Sequence, residues 1–176
     1  MHIPKKLVAL LAVAGCAVAA SPAAASTGMD TSKTYRITTS TSLALDIAGA
    51  SRGDGAPLIQ WGINGGANQQ WRFVPLGGTY YEIVNVNSGK CLTVPGGSLT
   101  PGTGIVQWTC GRAGQTWLGS FLSWGTASSY QVVTFTLGNS EIAMDVPGGS
   151  GLWGTQLATW YENGLANQSL FLTPLS

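Results

Sequence analysis

Histidine is nearly missing from this chain: the single copy, His2, stands at the extreme N-terminus. Without an imidazole further along, histidine-based general-base catalysis and histidine-ligated metal sites are excluded, and no metal or cofactor is expected. Charge is scarce as well, at 9% of residues against about 25% in an ordinary domain. Beyond residue 25 the bases Lys33, Arg36, Arg52, Arg72, Lys90 and Arg112 face Asp30, Asp46, Asp54, Glu82, Glu141, Asp145 and Glu162, for a net charge of −1. A chain with no basic face does not neutralise phosphates, so nucleic acid is not an expected partner. Cysteine is limited to three copies, of which only Cys91 and Cys110 lie beyond residue 25. Apolar residues at helical spacing are absent past the N-terminal run.

That run has its own meaning. Lys5 and Lys6 precede an unbroken apolar and small-residue stretch from Leu7 to Ala20, Ser21-Pro22 breaks it, and Ala23-Ala24-Ala25 follows. A basic start, a short apolar stretch and an Ala-x-Ala end describe a secretory signal cleaved near Ala25. A membrane anchor needs about 20 apolar residues, which this stretch does not reach, so no membrane insertion is expected. Val13-Ala14-Gly15-Cys16 also reads as a lipid-attachment box, but apolar residues continue past Cys16. The expected layout is a signal peptide at 1–25, a short segment at 26–34 and one domain at 35–176. The product would be a secreted monomer. In such a compartment the isolated pair Cys91 and Cys110 reads as a disulfide.

What the chain has in abundance is glycine, at 25 of 176 residues, together with Thr, Val and Trp, a composition for short strands joined by tight turns. It also repeats. Leu45-Asp46-Ile47-Ala48-Gly49, Leu92-Thr93-Val94-Pro95-Gly96 and Met144-Asp145-Val146-Pro147-Gly148 align without gaps, and in each the second residue lies 15 positions before a tryptophan: Trp61, Trp108 and Trp160. Asn64 to Trp71 then matches Asn163 to Leu170, while Gly111 to Trp117 is one residue shorter. The interval is 47 residues from Asp46 to Thr93 and 52 from Thr93 to Asp145, with the excess assigned to an insertion at Ser123–Ser129. Each unit holds about four β-prone runs, such as Tyr35–Thr38, Leu43–Ile47, Leu58–Trp61 and Trp71–Val74. Three all-β units within one domain suit a closed, pseudo-three-fold arrangement better than an open solenoid.

The Asp-containing block, the downstream Trp, the Asn-Gln pair and the Gln-x-Trp ending are similar to the ricin-type β-trefoil lectin repeat. The resemblance spans Tyr35 to Ser176 and implies an all-β fold, a β-trefoil of three pseudo-symmetric repeats, that binds glycans or polysaccharides of galactose-like type and performs no catalysis. Sugar recognition suits these residue types: an aromatic face receives the C–H patch of the ring, and a carboxylate accepts from two adjacent hydroxyls. By resemblance, Asp46 and Asp145 would be the hydroxyl acceptors and Trp61 and Trp160 the stacking platforms. Asn68 and Asn167 would add a second polar contact, and Gln69 and Gln168 would orient the carboxylates. The second repeat keeps Trp108 and Gln115 but carries Thr93 for Asp and Gly114 for Asn, so its site is expected to be silent. Cys91 and Cys110 fall where the family commonly staples a repeat. One departure stands out: the Gln that ricin-type repeats often place two residues before the Trp is here Ile59, Val106 or Ala158, and Gln60 and Gln107 come one residue later, on the other strand face.

Bland readings compete with these. Trp71 and Trp117, with Leu170 at the aligned place, read as core. Arg52-Gly53-Asp54 reads as a turn rather than an adhesion tripeptide. Asn167-Gln168-Ser169 is a glycosylation sequon that overlaps the third-repeat site. A glycosidase needs two carboxyls roughly 5 to 9.5 Å apart, whereas Asp46 and Asp145 are equivalent members of separate repeats. The alternative to a lectin is a protein-binding trefoil such as a secreted protease inhibitor, for which the Ser123–Ser129 insertion with Trp124 is the candidate loop.

Overall fold

Alternation of buried and solvent-facing residues shapes the strands. In β1 (Thr34–Thr39) Tyr35, Ile37 and Thr39 point inward while their neighbours are half-exposed, the period-two pattern of a strand with one covered face. The computed structural model describes residues 29–123 and 131–175; the segment expected to be a signal peptide and most of the expected insertion bearing Trp124 lie outside them. Eleven further strands follow: β2 (Ala44–Ile47), β3 (Leu58–Trp61), β4 (Gln70–Gly77), β5 (Tyr80–Asn85), β6 (Cys91–Thr93), β7 (Val106–Trp108), β8 (Trp117–Ser123), β9 (Gln131–Leu137), β10 (Ile142–Asp145), β11 (Ala158–Tyr161) and β12 (Leu170–Pro174). Among the described residues no helix is long and apolar enough to cross a membrane.

Six of these strands close a barrel. β1 pairs with β4, β4 with β5, β5 with β8, β8 with β9, β9 with β12 and β12 with β1, all antiparallel. Closure leaves none of the six as a free edge. The remaining strands form one hairpin per repeat: β2–β3, β6–β7 and β10–β11. The hairpins meet around the three-fold axis in a cycle of backbone bonds. Leu58 N donates to Ile105 O, Ile105 N to Leu157 O, and Leu157 N to Leu58 O, at 2.9 to 3.0 Å. The all-β trefoil of three repeats expected from the sequence is therefore the fold.

The core sits inside this barrel. Trp71 and Trp117 are fully buried and Leu170 is 1% exposed, so the Gln-x-Trp positions are core, as read from the Leu in the third repeat. Each of the two indoles still satisfies its N–H, on Leu45 O at 3.3 Å and Leu92 O at 3.1 Å, which a leucine does not need to do. Cys91 of β6 is bonded to Cys110 just past β7, stapling the second hairpin. Arg52-Gly53-Asp54 is indeed a structural turn: Asp54 accepts from Thr109 N at 2.8 Å and pairs with Lys90 Nζ at 2.6 Å.

Candidate functional site

Strand alternation splits β3 and β11 into two faces. Ile59 and Trp61 face outward on β3 while Gln60 is fully buried on the other side. Trp61 is 38% exposed and Trp160 49%, unlike the core tryptophans. Each stands over a pocket. Asp46, Gly49, Ala50, Ile59, Trp61, Asn64 and Asn68 line one of about 410 Å³. Gly102, Asp145, Pro147, Gly148, Ala158, Thr159, Trp160, Asn163 and Asn167 line another of about 340 Å³. The structure thus gathers Asp46, Trp61 and Asn68 around one cavity and Asp145, Trp160 and Asn167 around a second. Ile59 and Ala158, where the family often has Gln, form apolar wall.

Gln69 and Gln168 are buried behind the pockets and do not line them. Gln69 Nε2 donates to Asp46 Oδ2 at 2.8 Å and to Gly62 O at 2.9 Å, while its Oε1 accepts from Asn64 N at 2.9 Å. Gln168 does the same with Asp145 Oδ2, Tyr161 O and Asn163 N. Asn167 Nδ2 adds a 2.6 Å bond to the same Oδ2. Both of these donors reach Asp145 through Oδ2, and neither bonds its other carboxylate oxygen. Burial pushes Asp46 and Asp145 above the ordinary aspartate range, and the bonds from Gln and Asn pull them partly back. In its ionised form such a carboxylate is the stronger kind of acceptor.

In the second repeat the corresponding cavity is the largest of the three, about 490 Å³, lined by Thr93, Pro95, Gly96, Trp108, Arg112 and Ala113. Gln115 keeps its frame, donating to Thr93 Oγ1 and Thr109 O and accepting from Arg112 N. Gly114 occupies the place of Asn167: Val94 N bonds to Gly114 O as Val146 N bonds to Asn167 O. The shorter loop presses Gly114 so close to Val94 O that a Cβ there would collide, so a side chain cannot return without the missing residue.

Sequence reading missed the cross-repeat contacts. Each of the three exposed hairpin tryptophans leans on a glycine from the loop of another repeat: Trp61 on Gly154, Trp108 on Gly55 and Trp160 on Gly102, at 3.5, 3.5 and 3.9 Å from the Cβ each glycine lacks. All three glycines have φ between 81° and 83°, a left-handed conformation that L side chains adopt only with strain. The buried Gln60 and Gln107 lock those loops, Gln60 Nε2 donating to Ser150 O and Leu152 O and Gln107 Nε2 to Ser51 O and Gly53 O. Thr159 Oγ1 does so for the third loop through Thr100 O. The shared 15-residue spacing carried a signal for this, because Asp54, Pro101 and Trp153 are aligned loop positions. Trp153 crosses to the first repeat, with its ring centroid 5.3 Å from that of Trp61 and its edge where a Cβ on Gly62 would stand.

Comparison with known proteins settles the family. A family model described as ricin-type beta-trefoil lectin domain-like matches residues 25–108 and 67–160. The chain belongs to this family. Membership and fold point to carbohydrate binding, and ricin B-like lectin domains are generally non-catalytic. Among solved structures, the designed three-fold symmetric protein ThreeFoil is 33% identical with a TM-score of 0.72, over 81% of this chain and 99% of that one. The exo-beta-1,3-galactanase 1,3Gal43A from Clostridium thermocellum is 28% identical with a TM-score of 0.72, over 81% of this lectin-like chain but 30% of its own. The Macrolepiota procera ricin B-like lectin, solved with lactose, shares the fold at 19% identity and a TM-score of 0.65, covering 82% of this chain and 97% of that one. No curated protein matches the chain significantly by sequence.

Proposed function

We propose that this chain is a secreted, monomeric carbohydrate-binding module that holds two galactose-type rings, one on Asp46, Trp61 and Asn68 and one on Asp145, Trp160 and Asn167, with Gln69 and Gln168 orienting the two carboxylates from behind, and that it performs no catalysis. The observation that carries the reading is the pairing, in each of two pockets, of a buried carboxylate gripped from behind by glutamine with an exposed indole. The ring lays its C–H face on the indole while two hydroxyls converge on the carboxylate. The lactose complex of the Macrolepiota procera lectin and the GalNAc complex of an earthworm R-type lectin support galactose-type sugars as first probes. Shallow sites of this kind bind at about millimolar Kd, about −4 kcal/mol, so useful retention comes from engaging both sites on one polysaccharide.

Calorimetric titration of methyl galactoside tests the reading. Wild type binds two equivalents, Asp46→Ala and Asp145→Ala one each, and the double variant none, with folding checked by circular dichroism. Thr93→Ala leaves the neutral-sugar signal unchanged. A signal that survives the double variant places the site elsewhere. Intact mass of exported protein starting near Ser26 tests the secretion part, and a lipidated Cys16 start overturns it.

A further inference from the structure

The second-repeat cavity is no mere relic of the other two. Superimposing the glutamine frames shows what changed: the backbone N–H that bonds Gln69 comes from Asn64, the one that bonds Gln168 from Asn163, and the one that bonds Gln115 from Arg112. Asn64, Asn163 and Arg112 each line their own cavity. The charge has therefore moved toward positive at two positions. At the floor, the carboxylate of Asp46 or Asp145 has become the neutral hydroxyl of Thr93, which donates to Cys91 O and accepts from Gln115 Nε2, both at 2.9 Å. At the wall, a neutral asparagine has become a guanidinium. The platform is kept, with Trp108 39% exposed against 38% for Trp61.

Among the described residues no acid pairs with the new charge. The one salt bridge among the described residues joins Lys90 to Asp54, so the acid next to Gly55, the glycine that Trp108 leans on, is already engaged. Glu82 lies against the Cys91–Cys110 sulfurs and does not line the cavity. Arg112 makes no ion pair among the described residues. A platform indole beside an unpaired planar fork of donors suits a ring that carries an anion, because guanidinium binds carboxylate or sulfate through two parallel hydrogen bonds.

We propose that the second repeat holds a third site whose ligand is an acidic sugar, its ring on Trp108 and its carboxylate or sulfate ester on Arg112. The proposal takes the ring-on-tryptophan geometry from the reading of the two aspartate pockets. It goes beyond that reading by making the chain a binder of glycans that mix neutral and acidic units.

The test uses the full mature chain and its Asp46→Ala/Asp145→Ala form, titrated with methyl galactoside and with methyl galactosiduronate, which differs from it by a carboxylate in place of the hydroxymethyl group. Indole N–H signals are followed by NMR. In the double-alanine form the neutral glycoside moves no indole, while the uronate moves Trp108 with one-to-one stoichiometry and weakens as salt rises. Arg112→Gln lowers uronate affinity about tenfold or more, the loss of a charged hydrogen bond, and Trp108→Ala abolishes it. Galactose 6-sulfate run in parallel tells a sulfate from a carboxylate preference. The proposal fails if neither acidic sugar moves Trp108, if Arg112→Gln leaves both affinities unchanged, or if acetate at equal concentration produces the same shifts. Failure of the neutral glycoside on wild type, with the acidic arm intact, would instead overturn the aspartate-pocket reading and leave this site standing.

Discussion

Replacing Gln69, Gln115 and Gln168 one at a time by alanine exploits the internal symmetry as its own control. All three side chains are at most 2% exposed, and each makes three hydrogen bonds of equivalent geometry, between 2.7 and 3.0 Å. They differ in a single partner: Gln69 and Gln168 donate to a carboxylate, Gln115 to a hydroxyl. Neutral bonds contribute about 1 kcal/mol each and one to a carboxylate about 2. Gln115→Ala should therefore cost about 3 kcal/mol, and Gln69→Ala or Gln168→Ala about 4. At about 3 °C per kcal/mol for a domain of this size, melting points fall by about 9 °C and 12 °C respectively. Urea and thermal melts give the stabilities, and titration with methyl galactoside gives the function. Gln69→Ala and Gln168→Ala each weaken one neutral-sugar site, because the carboxylate is no longer held from behind. Gln115→Ala leaves both. The reasoning is refuted if Gln115→Ala is the most damaging of the three, or if it removes a neutral-sugar site.

Three further outcomes follow from the same geometry. Opening the Cys91–Cys110 loop, whose ends are 19 residues apart, by a Cys91→Ala/Cys110→Ala change should cost about 3 kcal/mol in the chain-entropy model; an unchanged urea midpoint would contradict this. Burial raises the folded-state pKa of Asp46 and Asp145 above the unfolded value, so the folded chain binds more protons between the two values and the stability these groups contribute falls as pH rises through that window. An Asp46→Asn/Asp145→Asn variant should accordingly gain on wild type as pH climbs from the ordinary aspartate value upward, whereas neutral-sugar binding to wild type should weaken as pH falls through the same window; a stability difference flat with pH counts against it. Trp153→Ala should weaken the Asp46 site by about 0.5–1.5 kcal/mol, the worth of an aromatic pair, and leave the Asp145 site alone; an equal effect at both would show that the ring contact with Trp61 is not the cause.

Most of the fold was legible in one dimension, because a repeat writes its symmetry into its spacing. The constant distance from Asp46, Thr93 and Asp145 to their tryptophans, with Leu170 standing where Trp71 and Trp117 stand, distinguishes the exposed tryptophans from the buried ones in the sequence itself. Strand alternation likewise sent Gln60 and Gln107 away from the pockets, since a one-residue offset in a strand reverses the face. Tertiary structure alone decided what happens between repeats. The loops carrying Gly55, Gly102 and Gly154 support tryptophans about 50 to 90 residues away in the chain, contacts made by closure of the barrel around its axis, which no local pattern encodes. The equivalence of Arg112 with Asn64 and Asn163 was hidden for a related reason. The second-repeat loop is one residue short, so a linear alignment loses the match, while the hydrogen bond from each of these residues to its glutamine keeps it. Spacing along a chain records which residues are repeated; only the closed barrel determines which repeated residues share a pocket.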